Sequence, residues 1–398
     1  MTINIPAILR DTPRYTAGAY FNSANASLMS RPVISAVVDH LHRESALGAY
    51  GAAATVATEL ADLYSAAAQL LGCDPDEIAL TEGHTAGWRQ VISAMQFLPG
   101  DRILVGRSEW GGNYAALTHI ARRCGAFVEL IPSNEFGEVC LTQLAAMLND
   151  RVRLISLTWL PANGGLINPA AAVGALAQAS GVPFVLDAAQ AVGQLPVDVR
   201  QLGCDVLTAP GRKWLRGPRG TGLMYVRRGF LAQLIPLVVD QFSAPFSGQD
   251  YKLREDARRF ETSEACFAAR LGLRVAIRSA LTLGMEAIEQ KIIERAQTLR
   301  QGLAEIECVQ LHDLGRRQSG LVSFNIPGMP ASEVRTRLMS LGVEVGVNGV
   351  AFTPLDMQAR GLTEIVRASP HLYTTDEDID RLLATVEGLA KRPFQAPA

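Results

Sequence analysis

Residues 183–226 read PFVLDAAQAVGQLPVDVRQLGCDVLTAPGRKWLRGPRGTGLMYV. PFVLDAA (183–189) and DVLTAP (205–210) are short and almost continuously apolar, as strands of a sheet buried on both faces must be. The same pattern recurs at RILVG (102–106), AFVELIP (126–132) and RLISLTW (153–159), and a shorter strand opens IALTEGHTAGWRQVISAMQFL (78–98). Helical patterns lie between and before them, at residues 31–48, at 55–71 and from about Ala86. In the second of these, Leu60, Leu63, Tyr64, Ala67, Leu70 and Leu71 keep the 3.6-residue period. Helix and strand therefore alternate over residues 30–230, the signature of a parallel sheet covered by helices.

The rhythm changes after residue 230. A loop rich in Phe, Ser, Pro and Gly (242–250) leads to a long helical segment from about Ser263 to Ala304. Then come a strand at LVSFNIP (321–327), a further helix and strand, and a final helix opening at TTDEDID (374–380). The expectation is an α/β fold with a large domain, its mostly parallel sheet sandwiched by helices, and a smaller C-terminal α+β domain. The expected boundaries are an N-terminal segment at 1–30, the large domain at 31–250 and the small domain, with its long linking helix, at 251–398.

At 398 residues the chain exceeds the usual single core, which agrees with two units. Lys plus Arg number 37 against 39 Asp plus Glu, and no run of five like charges occurs, which argues against a nucleic-acid surface. Apolar stretches are interrupted within about a dozen residues, short of the roughly 20 that cross a bilayer. The N-terminal stretch MTINIPAILRDTPRYTAG lacks an apolar core followed by a cleavage site. A soluble, cytoplasmic protein is expected. Six cysteines are scattered without a CxxC pair, and six histidines form no HxxxH, so neither a disulfide framework nor a metal site is expected.

A strand ending in Asp187 puts a carboxylate at the C-terminal edge of the sheet, where open α/β folds bind ligands. A second strand ends just before Lys213 and brings an amine to the same crevice. As an isolated pair they read equally as a helix cap and a solvated loop charge. Gly211, Gly217, Gly220 and Gly222, stiffened by Trp214 and Pro218, make a loop that fixes the lysine. A fixed amine facing a carboxylate suits pyridoxal 5'-phosphate. The lysine bonds the cofactor aldehyde, and the acid keeps the pyridine nitrogen protonated. The phosphate needs donors, and in EGHTAGW (82–88) Gly83, His84 and Thr85 lie at a turn opening a helix, where free N–H groups favour an anion. Such a turn also reads as a plain N-cap.

The ordered set TEGHT (81–85), RSEWGG (107–112), PANGG (161–165), DAAQ (187–190), APGRKWLRGPRGTG (209–222), RRFETSE (258–264) and VRASPHLYTT (366–375) resembles the class V aminotransferase family of fold-type I pyridoxal-phosphate enzymes. Within it, GRKWLRGPRGTG, RRFETSEACFAARLGL (258–273) and LDMQARGLTEIVRASPHLYTT (355–375) are most similar to the carbon-sulfur lyases of the ergothioneine and ovothiol pathways and to related lincosamide enzymes.

The resemblance implies that Lys213 holds the cofactor and that Asp187 partners the pyridine nitrogen. Gln190 would bond the phenolic oxygen, and Asn163 would lie near that oxygen and the substrate. Trp110 stands where the family often stacks a His on the ring; an indole offers a larger face but cannot relay a proton. Arg212 replaces a frequent His and can grip phosphate in a forked geometry. Thr262 would reach the phosphate from the partner subunit, implying a homodimer with shared sites. Arg367 corresponds to the binder of the substrate α-carboxylate. In YFNSANASLMS (20–30), Asn22, Asn25 and Ser27 are candidate contacts at the substrate entrance, or local caps. His371 and Tyr373 lie near Arg367 or simply pack.

Lys213, once freed from the cofactor, is the natural general base, since a desolvated amine is easily tuned toward neutral pH. Cysteine desulfurases of this fold use a cysteine on a loop ahead of the carboxylate-binding arginine. Here GVEVGVNGVAFTPLDMQARGLTEIVR (342–367) has none, and Cys308 lies well upstream. The expected activity is β-elimination by a carbon-sulfur lyase acting on a small amino-acid substrate. That substrate is a cysteine S-conjugate, such as a histidine-derived sulfoxide bearing an imidazole, and the products are a thiol or sulfenic product, pyruvate and ammonia. An aminotransferase or epimerase on another amino acid is the alternative, and a pyridoxal-binding protein without turnover a third reading. The pocket beyond the sulfur is expected from the N-terminal segment, the Trp110 region and the loop from Phe242 to Tyr251.

Overall fold

The computed structural model describes residues 3–391. The ends of the chain, at residues 1–2 and 392–398, and with them the outer limits of the expected domains, lie outside the described residues. The strands in chain order are β1 (Ala19–Phe21), β2 (Ile78–Thr81), β3 (Arg102–Gly106), β4 (Phe127–Ile131), β5 (Val152–Thr158), β6 (Phe184–Asp187) and β7 (Val206–Pro210). They continue with β8 (Gly222–Val226), β9 (Phe246–Ser247), β10 (Asp250–Tyr251), β11 (Gln310–Leu311), β12 (Val322–Asn325), β13 (Val343–Gly349) and β14 (Glu364–Ala368).

Seven strands form one sheet in the order β2-β8-β7-β6-β5-β3-β4. All neighbours run parallel except β8, which is antiparallel to both β2 and β7. The apolar runs are continuous because alternate residues of a strand serve opposite cores. Leu104, Ile155, Leu186 and Leu207 pack on one side with Leu63 and Leu71, while Ile103, Leu154, Val185 and Val206 pack on the other with Trp88 and Val91. Each such fully buried side chain contributes roughly 1.5–3 kcal/mol.

The second sheet has the order β1-β13-β14-β12-β11, with β1 parallel to β13 and the other pairs antiparallel. Residues 19–21, near the start of the chain, thus join a sheet otherwise built from residues 310–368. Residues 22–28 then run from this sheet to the crevice of the large one. Ala24 N donates to Ser369 Oγ (3.0 Å), Ala24 O accepts from Gln190 Nε2 (3.0 Å), and Ser27 N donates to Arg212 O (2.9 Å).

Two helical expectations are revised. The segment expected over 263–304 is two helices, Phe267–Leu283 and Met285–Glu305, separated by Gly284 at φ +84°. The first packs against the helices Arg31–Thr55 and Ala57–Leu71 of the large unit. The helix expected to end at residue 48 continues to Thr55 through a kink at Gly48 (φ +71°). The loop 242–250 includes all of a short hairpin, β9 and β10, except its last residue, Tyr251, and turns at Gly248. Among the described residues no helix is long and apolar enough to cross a membrane.

Candidate active site

The C-terminal ends of β6 and β7 lie side by side, Asp187 opposite Thr208. The helix His84–Ala94 starts beside them. Its N-cap, Gly83, has φ +155°, and a Cβ on Gly222 of β8 would fall 2.7 Å from the Gly83 Cα, so the turn can lie against the sheet only because Gly222 lacks one. The first N–H groups of this helix have no partner within it and form a cradle for an anion. The His84 side chain turns inward instead. Its Nδ1 pairs with Thr208 Oγ1 at 2.8 Å, and its Nε2 stands 3.1 Å from Asp187 Oδ2.

Asp187 is buried. Its Oδ1 accepts from Ala189 N and its Oδ2 from Asn113 Nδ2, both at 2.8 Å. Burial works to raise its pKa, but His84, the Ala189 N–H and Lys213 together outweigh burial and hold the carboxyl below the usual carboxylate value. Asp187 is therefore an anion at neutral pH.

Lys213 sits on the loop that follows β7. Gly211 N donates to Thr221 O (2.9 Å) and Gly217 N to Gly211 O (2.8 Å), closing the loop on itself. A Cβ on Gly211 would meet Thr221 Oγ1 at 2.3 Å. Trp214 anchors the loop: its Nε1 donates to Gln190 Oε1 (2.7 Å), and its carbonyl meets His371 Nε2 (3.1 Å). His371 is stacked between Trp214 and Tyr373, and burial first, then Arg216, push its pKa down to about 3. His371 and Tyr373 thus pack behind the lysine loop. The Lys213 pKa falls to about 7, through burial and then Arg212, with Arg367 adding to the drop and Asp187 opposing it. The other lysines, Lys252, Lys291 and Lys391, each sit beside a glutamate, whereas Lys213 has no carboxylate within ion-pair distance among the described residues.

A cavity of about 450 Å³ brings most of the expected residues together. Gly83, His84, Thr85, Asp187 and Lys213 line it with Gln190, whose amide is already tied to Ala24 and Trp214. Trp110, Arg212, Asn25 and Arg367 line it as well. Arg367 is 2 % exposed; its Nη1 donates to Ala162 O (2.7 Å), its Nη2 donates to Asn25 Oδ1, and its Nε has no partner among the described residues. Arg212 donates to the Asn25 carbonyl.

Two expected residues stand elsewhere, and Thr262, which the resemblance assigns to the partner's site, lies outside this chain's own cavity. Asn163 is buried, and its Nδ2 donates to Asp356 Oδ2 at 2.7 Å, because Asp356, 193 positions away, captures the amide. Asn348 occupies the cavity wall instead, its Nδ2 on Ala162 O at 2.8 Å. Asn22 lies one layer behind Asn25, donating to Glu344 Oε1 (3.1 Å) and accepting from Asn25 (2.8 Å). Thr262 is exposed in a separate hollow that shares Glu82 and Ala86 with the cavity. No residue of 242–251 lines the cavity. Sequence reasoning overlooked Glu109, Asn113, Thr158, Thr208 and Phe352. Of these, Phe352 touches Trp110 with ring centroids 5.5 Å apart.

These residues fit pyridoxal phosphate. Lys213 offers an amine near neutrality, Asp187 a fixed anion for the pyridine nitrogen, and the helix start at His84 a cradle of N–H groups for the phosphate. Arg212 and Arg367 pair with no carboxylate among the described residues, so the site carries uncompensated positive charge suited to two anionic groups.

The sequence profile of the family described as aminotransferase class-V matches residues 19–382. A probable cysteine desulfurase of Methanothermobacter thermautotrophicus is 26 % identical over 392 residues, covering 96 % of this chain and 97 % of the relative. Among solved structures, the apo cysteine desulfurase of Thermococcus onnurineus NA1 superposes with a TM-score of 0.90 at 26 % identity, covering 98 % of this chain and 100 % of that one. The complex between a cystine C-S lyase and its reaction product, cysteine persulfide, gives 0.84 at 25 % identity, covering 96 % and 99 %.

Proposed function

The chain belongs to the class-V aminotransferase family of pyridoxal-phosphate enzymes, and from that premise we propose that it cleaves the carbon-sulfur bond of a cysteine S-conjugate by β-elimination. With one water consumed to hydrolyse the eliminated imine, the products are a thiol or sulfenic product, pyruvate and ammonia. Pyridoxal phosphate supplies an electron sink that acidifies the Cα hydrogen of an amino acid held through its amine.

Arg367 receives the α-carboxylate. Among the described residues its buried guanidinium meets only neutral oxygens, from Ala162 and Asn25, and a carboxylate completes the charge. Asp187, flanked by His84 and Asn113, keeps a proton on the pyridine nitrogen. Arg212 and the N–H groups of Gly83, His84 and Thr85 hold the phosphate. Trp110 supplies an apolar face and, lacking a basic nitrogen, leaves proton transfer to Lys213. Lys213, whose amine is lowered to about pKa 7 in the unloaded protein, would remove the Cα proton as sulfur leaves Cβ.

One observation carries this reading: the cavity holds a near-neutral lysine, and none of the six cysteines lines it. Sulfur departing with its own substituent needs no protein thiol. The name of the cystine lyase relative supports the same chemistry. The names of the desulfurase relatives favour a second reading, in which sulfur is taken from cysteine by a thiol and alanine remains. Cysteine and S-alkyl cysteines supplied without any keto acid separate the two. Pyruvate and ammonia support the lyase, and alanine with enzyme-bound sulfur supports the desulfurase. Turnover that requires a keto acid, or yields only the opposite enantiomer, supports an aminotransferase or an epimerase. The resemblance to ergothioneine-type lyases supports an imidazole-bearing cysteine sulfoxide as substrate. On the same footing we place a cytoplasmic homodimer whose sites are shared through Thr262.

A further inference from the structure

Glu109 is a buried carboxylate that the mechanism above does not use. It is 0 % exposed, on the turn between β3 and the helix Gly111–Cys124. Its Oε1 accepts from Thr158 Oγ1 (2.6 Å), Asn113 Nδ2 (3.0 Å) and Trp110 N (3.1 Å). Its Oε2 faces Ser156 Oγ at 3.2 Å. No cation pairs with it among the described residues, and the charged group acting on it is another carboxylate, Asp187.

The two acids share one amide. Asn113 Nδ2 has two hydrogens, one directed to Glu109 and the other to Asp187 Oδ2 at 2.8 Å. Two negative charges bridged by a single neutral donor in a buried site repel, and one of them must be discharged. Asp187 has His84 and the Ala189 N–H to hold its charge, with Lys213 beyond. Glu109 has only neutral donors. Three donors converge on Oε1, and Oε2 meets only the Ser156 hydroxyl at 3.2 Å; with a hydrogen on Oε2 that hydroxyl turns and accepts instead of donating. The same Oε1 accepts from the Trp110 backbone N–H, which is shared with Thr158 Oγ1 at 3.0 Å.

We propose that Glu109 is a positioning residue of the cofactor-ring site, a neutral carboxylic acid that aims Asn113 at Asp187 and fixes the backbone under Trp110. This rests on the reading of the cavity as a pyridoxal-phosphate site. Held neutral, Glu109 braces the Asp187 charge without adding a second negative charge beside it. Burial, and secondarily Asp187, also raise its pKa, in keeping with the geometry.

The test compares wild type, Glu109→Gln and Glu109→Ala after reconstitution with pyridoxal phosphate. It reads the cofactor dissociation constant, the pH midpoint of the bound-cofactor absorbance, and the infrared carbonyl band of a protonated carboxylic acid at neutral pH. Glutamine reproduces the neutral acid, accepting at Oε1 and donating to Ser156. Glu109→Gln is therefore expected to keep the wild-type dissociation constant and midpoint while losing the infrared band. Glu109→Ala is expected to weaken cofactor binding roughly tenfold or more, the loss of one or two buried hydrogen bonds, and to move the midpoint. If Glu109→Ala does not fold, Asn113→Ala serves in its place and is expected to move the midpoint in the same direction. A Glu109→Gln protein as impaired as the alanine variant, or a band that Glu109→Gln leaves intact, overturns the proposal, as does an alanine variant equal to wild type. Wild-type protein that takes up no pyridoxal phosphate overturns the reading beneath it instead.

Discussion

Asn25 Oδ1 accepts a hydrogen bond from Arg367 Nη2, so a residue of the N-terminal segment holds the guanidinium that faces the cavity. The Asn25 carbonyl accepts from Arg212 as well, which ties two of the three cavity arginines, Arg212 and Arg367, to one residue. Gly346 makes room for the cluster: a Cβ there would lie 3.0 Å from Asn22 Oδ1 and 3.4 Å from Arg367 Nε. The N-terminal segment thus bridges the two sheets at the wall of the cavity.

Arg367→Ala is expected to lose about 2–5 kcal/mol in kcat/KM, chiefly through KM, because a buried charge pair with the substrate carboxylate disappears. Asn25→Ala is expected to act in the same direction by a smaller amount, about 1 kcal/mol for one neutral acceptor. Steady-state kinetics on one S-conjugate checks both. A KM unchanged in Arg367→Ala contradicts the assignment.

His84→Ala removes the group that most lowers the Asp187 pKa. The folded-state pKa of Asp187 then rises, and the proton on the cofactor nitrogen is held less firmly. A fall in kcat of roughly tenfold is expected, about 1.4 kcal/mol, together with weaker cofactor retention on dialysis. A variant with wild-type kcat and full cofactor occupancy argues against any role for His84 beside Asp187.

The pH dependence of the unloaded protein follows from Lys213. Its folded-state pKa is depressed, from 10.5 to about 7, so between these values the unfolded chain binds the extra proton. Stability with respect to this group therefore rises with pH across that window and is lowest below pH 7, where both states are charged. The rate at which the unloaded protein captures pyridoxal phosphate is expected to climb through pH 7 and level off above it. A stopped-flow pH series checks this, and a midpoint near the ordinary lysine value contradicts it.

Gly111 bears on the aromatic wall of the cavity. A Cβ there would fall 2.0 Å from Ala351 O, so Gly111→Ala must push residues 350–352, and with them Phe352, away from Trp110. A stability loss of about 1–3 kcal/mol is expected, with a lowered Tm and a raised KM. A variant with unchanged Tm contradicts the close packing of this loop.

Much of this was legible in the sequence where the signal is local. β6 and β7 could be read because both faces of the sheet are buried and their residues are apolar apart from Asp187 and Thr208. Lys213 and Asp187 stood out because each follows such a run. β1 could not be read: three residues carry no period, and its partner β13 lies more than 320 positions away. The break at Gly284 was hidden because both flanking segments are helical and one glycine costs a helix only about 1 kcal/mol. Glu109 precedes a helix, where an acidic residue ordinarily meets the dipole in solvent. Its burial comes from Ser156 and Thr158 of β5 and from Asn113, which no local pattern reveals. The bond from Asn163 to Asp356 was equally hidden, since Asp356 lies 193 positions further along the chain.

The central claim is that Lys213 is the amine that bonds the cofactor. The chain has four lysines, and Lys252, Lys291 and Lys391 are each engaged by a glutamate. Protein loaded with pyridoxal phosphate, reduced with borohydride and mapped by peptide mass spectrometry is predicted to carry the pyridoxyl group on Lys213. An unlabelled Lys213, or a label on any of the other three, contradicts the account.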